Sequence, residues 1–318
     1  MEHHRYVIAV HGGAGAIASD PADASPYHRA LKAALAAGTE LLEHGAAALD
    51  AVEAAVVLLE DGPLFNAGRG AVYTADARHE LDAAVMRGQD LAAGAVACVQ
   101  GVRNPVALAR SVMQSSGHVL MVGAGARCFA QQMGLAIEPD AWFHTDERLA
   151  ELRRAQGRQV PSAAPAPLLA QGTQGTQGTV GAVALDVSGH LAAAVSTGGL
   201  TNKRPGRAGD SAVIGAGIYA NDLSCAVVAT GTGEHFIRCA AAHDIHARML
   251  YRGQAMQEAA ADVVFGELQR MGGVGGVIAV DAHGAVSMPF NSAGMYRGLQ
   301  RQGEAAWTAI FPEDYSGM

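Results

Sequence analysis

Apolar positions along the chain fall into two rhythms. Over residues 27–43 and 46–60, Leu, Ala and Val recur at three- and four-residue spacing, which predicts an alanine-rich helical hairpin broken near Gly45. Helical spacing returns over 104–114, 125–133, 146–155, 234–251 and 254–271. Pro105 stands in the first turn of the first of these, where its missing N–H is no loss. Short runs of small and β-branched residues lie between the helices. They predict strands at 6–10, 81–86, 94–99, 119–122, 180–186, 191–196, 212–219, 224–230, 276–281 and 285–290. Helix pairs flank runs of adjacent strands. The architecture that buries every apolar face is a four-layer αββα sandwich, a mixed α/β fold in a single domain over 1–318. One stretch, 157–178, is rich in Pro, Ala, Gln and Gly. It has little to bury and reads as a mobile linker.

Composition narrows the function classes. Half of the residues are hydrophobic but only 5% are aromatic, and glycine alone supplies 40, so the core is built from closely approaching backbones. A formal charge of −8 argues against nucleic acid or an anionic membrane as partner. The four cysteines show no CxxC spacing, and three sit in apolar surroundings as reduced core thiols. Nothing at the N-terminus has the form of a signal peptide, and no apolar run reaches membrane-spanning length. A soluble cytoplasmic protein is the expectation.

Candidate chemistry gathers around Thr179. A threefold Gly-Thr repeat, Gly172-Thr173-Gln174-Gly175-Thr176-Gln177-Gly178-Thr179, runs directly into the strand that begins at Val180. Cutting the chain after Gly178 creates a residue with a hydroxyl and a free α-amine, and the amine is the base that a threonine nucleophile needs. A Gly/Gln linker feeding a strand accounts for the same residues, so this stretch alone leaves both readings open.

Other stretches have two readings as well. His11-Gly12-Gly13-Ala14-Gly15 is a structural turn, an anion nest or an oxyanion loop. No Gly-x-Ser-x-Gly elbow accompanies it, and it lacks the ending of a phosphate loop. The turn-rich segment from Leu59 to Gly70 either simply turns or presents carbonyls to a hard monovalent cation. Arg207 and Asp210, three apart in a glycine-rich loop, either pair with each other or grip the α-carboxylate and α-amine of an amino acid. Thr230-Gly231-Thr232-Gly233 caps a helix or forms an oxyanion hole. Thr197 lies beside Thr179 if their strands pair. His243 and His246 share a helix face but lack a third ligand, and are expected to be solvated or capping.

Nine ordered stretches carry a resemblance. They are His11–Ile17, Leu64-Phe65-Asn66-Ala67-Gly68, Gly178–Ala184, Ser196-Thr197-Gly198-Gly199, Asn202-Lys203, Pro205-Gly206-Arg207, Gly209-Asp210-Ser211, Thr230–Glu234 and Pro289-Phe290-Asn291. Together they resemble the plant-type L-asparaginases/isoaspartyl peptidases, which are N-terminal-nucleophile hydrolases. The resemblance implies a precursor that cuts itself between Gly178 and Thr179, giving an α chain 1–178 and a β chain 179–318. It implies hydrolysis of L-asparagine and β-aspartyl dipeptides, with Thr179 as nucleophile, Thr197 orienting it, and Thr230 and Gly231 forming the oxyanion hole. Asn66 reaches the site from its loop, and Arg207, Asp210, Gly231 and Gly233 bind substrate. The resemblance also implies a dimer of αβ units and a sodium ion on the carbonyls of Leu59, Glu60, Gly62, Phe65, Ala67 and Arg69. Arg69 replaces a typically apolar residue there. Thr173 and Thr176 are decoy scissile positions, but only Thr179 abuts the strand. A glycosylasparaginase-like amidohydrolase and a non-catalytic small-ligand binding protein are the competing readings. A binding protein would stay one band on a denaturing gel.

Overall fold

The computed structural model describes residues 6–15, 17, 24–157 and 178–312. Strands β1 (Val7–Gly15), β2 (Leu81–Arg87), β3 (Ala93–Val99), β4 (Leu120–Val122), β5 (Val180–Leu185), β6 (Leu191–Thr197), β11 (Gly294–Arg301) and β12 (Trp307–Ala309) form one sheet. Its order is β12-β11-β1-β5-β6-β2-β3-β4. A smaller sheet has the order β10-β9-β8-β7, from β7 (Ile218–Ala220), β8 (Cys225–Gly231), β9 (Gly275–Asp281) and β10 (Val286–Ser287). Among the described residues only β3 and β4 pair in parallel. Helices α1 (Ser25–Glu43), α2 (Ala48–Asp61) and α3 (Pro105–Ser115) cover the outer face of the large sheet. Next along the chain come α4 (Gly123–Gln132), α5 (Asp140–Phe143) and α6 (Asp146–Gly157). The outer layer on the small sheet is α7 (Gly233–Cys239), α8 (Ala241–Arg252) and α9 (Met256–Ala261).

Strand alternation explains the layering. Val180, Ala182 and Ala184 of β5 face α1 and α2, while Val183 and Leu185 face the small sheet. In β8, Ala226 and Val228 face the large sheet, and Val227 and Ala229 face the helices behind. Both sheets are therefore apolar on both faces, which is why their strands read as unbroken apolar runs. Three separate cores result, one between each pair of layers. Small residues let the layers approach: a Cβ on Gly38 of α1 would run into the Ile8 side chain. The αββα sandwich expected from the sequence is the observed fold.

Several boundaries differ from expectation. The His11–Gly15 stretch is strand rather than loop, because β11 pairs with β1 over its whole length through a bulge between His11 and Gly13. Neither β11 nor β12 is anticipated by the sequence pattern. Residues 212–217 do not form strand. Val213 and Gly217 both donate to the Asp210 carbonyl and wind this segment into turns. The long helix expected over 234–251 is two helices, broken at Ala240 with φ 48°. The last expected strand, 285–290, shrinks to Val286–Ser287. His246 is buried rather than solvated, with Ser224 Oγ 2.6 Å from its Nδ1 and the rings of Tyr219 and His243 against it. The cysteines are free; Cys225 is buried, Cys98 and Cys239 are half-buried, and Cys128 is exposed. The expected linker falls on residues that, apart from Gly157 and Gly178, lie outside the described ones, as do Thr173 and Thr176.

Candidate active site

The register of the large sheet decides where the threonines meet. Val180 pairs with Ser196 in the antiparallel β5–β6 ladder, so Thr179 and Thr197 are the next residues along the same ladder. Thr230 comes from the other sheet, two residues beyond Val228 on the face of β8 that meets the large sheet. Thr179, Thr197 and Thr230 are all buried. They converge at one end of the core between the sheets.

Backbone surrounds the Gly178–Thr179 junction. At Gly13 the β1 bulge gives φ 112°, and a Cβ there would overlap the backbone of Gly178. A Cβ on Gly178 in turn would lie 2.5 Å from Thr230 Oγ1. That hydroxyl accepts a hydrogen bond from the Ala14 N–H at 3.1 Å. The strand bulge thus ties the residue before Thr179 to Thr230. His11 is fully buried against Gly181 and the Thr179 backbone. Burial drives its pKa down to about 3, only partly opposed by the Thr179 backbone, so the ring is neutral. His11 is therefore a wall of this junction rather than a turn residue.

Asn66 links the loop after α2 to the end of β6. Its Oδ1 accepts from Val72 N (3.0 Å), its Nδ2 donates to Gly199 O (2.7 Å), and its carbonyl accepts from Gly198 N (3.0 Å). Gly199 N donates to Thr197 Oγ1 at 2.9 Å. Asn66 thus sets Thr197 through the Gly198–Gly199 backbone.

Arg207 does not pair with Asp210. Its Nε donates to Glu234 Oε1 at 2.9 Å. Asp210 is fully buried, and among the described residues its Oδ2 has no hydrogen-bond partner. Burial raises the Asp210 carboxyl to about 7; Arg207 opposes this, while Glu234 and Asp82 push it further up. Gly233 forms the floor between the two charges. A Cβ on it would lie 2.5 Å from Asp210 Oδ1 and 3.1 Å from Arg207 Nη2. A cation near one side and a carboxylate with a spare oxygen on the other is a fit for a small zwitterion. Glu234, the partner of Arg207, escapes a sequence reading because its acid also suits an ordinary helix first turn.

At the end of α2 lie the carbonyls expected to hold sodium. The Leu59 carbonyl lacks its helical donor because residue 63 is proline. Gly68, at φ 48°, packs on the Glu60 carbonyl, and Gly70 on those of Pro63 and Phe65. The Phe65 and Ala67 carbonyls accept from Ala67 N and Gly70 N, which leaves each a second lone pair. Arg69 is exposed, so its charge turns to solvent. Burial lifts the Glu60 carboxyl to about 8, against hydrogen bonds from the Val106 N–H and Asn104 Nδ2, so it is neutral near pH 7. Neutral oxygens at the negative end of a helix suit a hard monovalent cation. Among the described residues, no group of three or more His, Cys, Asp or Glu side chains is arranged to hold a metal ion. No helix there is long and apolar enough to cross a membrane.

Comparison with known proteins agrees with this geometry. A family model described as asparaginase matches residues 4–310. An isoaspartyl peptidase of Salmonella typhimurium is 52% identical over 316 residues, which cover 98% of this chain and 100% of that one. An isoaspartyl peptidase of Escherichia coli is 51% identical, with 96% of each chain covered. The isoaspartyl peptidase/L-asparaginase of Homo sapiens is 38% identical, over 90% of this chain and 92% of its own. With the αββα layers, the converging threonines and a match across almost its whole length, the chain belongs to the plant-type asparaginase/isoaspartyl peptidase family.

Proposed function

We propose that this chain is an amidohydrolase that releases ammonia from L-asparagine and the second residue from β-aspartyl dipeptides, using Thr179 as nucleophile after self-cleavage behind Gly178. The position of Thr179 carries the reading: it enters β5 from Gly178, beside Thr197, with Thr230 against the bond to be cut. The names and near full-length identity of the relatives support the reaction class.

The chemistry follows from the neighbours. The Thr179 hydroxyl attacks the side-chain carbonyl of the substrate while the freed α-amine takes its proton. Negative charge on the substrate oxygen is met by the Thr230 hydroxyl and the Gly231 N–H. The proton then passes to the leaving amine. Water, activated by the same α-amine, hydrolyses the β-aspartyl ester and regenerates Thr179. Thr197 keeps the hydroxyl oriented throughout. Arg207 reads the substrate α-carboxylate with the guanidinium edge that Glu234 leaves open, and Asp210 reads the α-ammonium. The carbonyls of Leu59, Glu60, Gly62, Phe65, Ala67 and Arg69 would hold a sodium ion, whose charge would offset the negative end of α2 and so support the loop that carries Asn66.

The same reading carries a cytoplasmic dimer of αβ units. Exposed Leu120 and Val122 on the edge strand β4, with Val119 just before it, support the dimer, and light scattering of one αβ unit at micromolar concentration would defeat it. The reaction itself is tested by product release from L-Asn and β-Asp-Leu, measured side by side. Turnover of both is expected, and turnover of neither by the cleaved protein would overturn the proposal.

A further inference from the structure

Two buried acids that the reaction above does not use stand at the start of β2, Glu80 just before the strand and Asp82 within it. Leu81 faces the helices, so Glu80 and Asp82 on either side of it share the opposite face. Both reach the loop that bears Arg207 and Asp210. The Glu80 carbonyl accepts from Lys203 Nζ at 2.7 Å, and its Oε2 accepts from Gly206 N at 2.8 Å. Asp82 Oδ2 accepts from Gly209 N, also at 2.8 Å. Three bonds to Glu80 and Asp82, one of them to the Glu80 carbonyl, therefore bracket Arg207, at positions 203, 206 and 209.

Asp82 is aimed by a break in the sheet. The β2–β3 register shifts between Leu81 and Ala83, and Cys98 opposite takes φ 51°. Its N–H turns to Asp82 Oδ1, at 2.8 Å. A bulge of this kind re-aims a side chain that a regular ladder would leave elsewhere. Asp82 is also the ladder partner of Thr197, on the same face. Two cations are packed over this acid pair. A Cβ on Gly199 would lie 3.0 Å from Arg207 Nη1 and 3.2 Å from Lys203 Nζ. Lys203 is buried and has no carboxylate within ion-pair distance among the described residues, so the nearby negative charges of Asp82 and Glu80 balance it from a distance.

We infer that Glu80 and Asp82 are positioning residues for substrate recognition, clamping the 203–210 loop so that Arg207 and Asp210 meet the two α-charges of the substrate at once. The inference rests on the proposed roles of Arg207 and Asp210. Neither acid touches the bond before Thr179, so the clamp serves substrate binding and leaves self-cleavage alone. Asp82 has a second effect through its charge. It stands with Glu234 of α7 against Arg207 of the loop in setting the Asp210 carboxyl, and it pushes that carboxyl upward.

Full-length Asp82→Asn and Glu80→Gln test this. Each keeps its side-chain shape but weakens a hydrogen bond from the loop to a charged acceptor, a loss of about 10- to 100-fold in binding. Both variants are expected to cleave themselves like the wild type on a denaturing gel, and to raise KM for L-Asn by about that factor with kcat little changed. In Asp82→Asn the acid limb of kcat/KM moves to lower pH, because a charge holding Asp210 up has gone. A merely structural role of Asp82 would leave that limb in place. Loss of kcat at unchanged KM, an unmoved limb in Asp82→Asn, or folded variants of both kinds that fail to cleave would overturn the clamp. Should Asp82→Asn fail to fold, Glu80→Gln decides through its KM and its gel. A wild type that neither cleaves nor turns over L-Asn would instead defeat the proposed function, an outcome read on different samples.

Discussion

Around Thr179 the neighbours are glycine backbone, a neutral buried histidine and hydroxyls. Around Arg207 they are Glu80, Asp82, Lys203, Asp210 and Glu234. The first region is fixed by closeness, since Gly13 and Gly178 leave no space for side chains. The second is fixed by charge-assisted hydrogen bonds to a loop with little apolar anchoring. One end of the inter-sheet core thus holds two devices of different physics, one suited to straining a peptide bond and one suited to reading a zwitterion. Substitutions should separate them.

The largest effect is expected at Thr179, the proposed nucleophile. Thr179→Ala should stay a single chain and lose all turnover, checked by gel and ammonia release, because alanine has no hydroxyl for either step. Gly13→Ala comes next. The new Cβ meets the Gly178 backbone at a φ that alanine resists, and displacing a reacting bond by about 1 Å costs on the order of a hundredfold. Its self-cleavage, followed over time on a gel, should slow by that order. Arg207→Ala tests the other region. Loss of the guanidinium leaves the substrate α-carboxylate without its charged hydrogen-bond donor, at about 3 kcal/mol, so kcat/KM for L-Asn should fall about a hundredfold while self-cleavage proceeds. Lysine at 207 should rescue only in part, since it lacks the planar fork. Brisk turnover of N-acetyl-asparagine would contradict the role of Asp210. The smallest effect is the pH dependence. Asp210 must be ionised to hold an ammonium, and burial raises its carboxyl to about 7, so protonation on the acid side removes binding. A kcat/KM profile for L-Asn should fall about tenfold per pH unit once below that value.

The sequence exposed the two regions unequally. The threonines were legible because β5 and β6 are short apolar runs joined by a tight turn over Ser188-Gly189, so their pairing followed from the chain itself. The α1–α2 hairpin was legible for the same local reason. Strand β11 was not. It buries Arg297 between Phe290 and Trp307, and an arginine inside an apolar strand breaks the pattern that identifies one. With β11 hidden, Gly12-Gly13 looked like a loop, although its pairing to β11 is what presses Gly13 onto Gly178. The break at Ala240 left no trace, since alanine at positive φ has no sequence signature. In the charged region, Arg207 and Asp210 stood out as a pair, but the partner of Arg207 is Glu234, and the loop that holds both is tied to Glu80 and Asp82 far off in the chain. Glu80, Asp82 and Glu234 are ordinary acids until the fold brings them together.

The proposed chemistry depends on where the chain is cut. Intact-mass analysis of the purified protein, with N-terminal sequencing of the smaller fragment, measures this directly. The expected result is two chains, residues 1–178 and 179–318, with Thr179 first in the second. A single uncut chain with full activity, or a second chain beginning at Thr173 or Thr176, would contradict it.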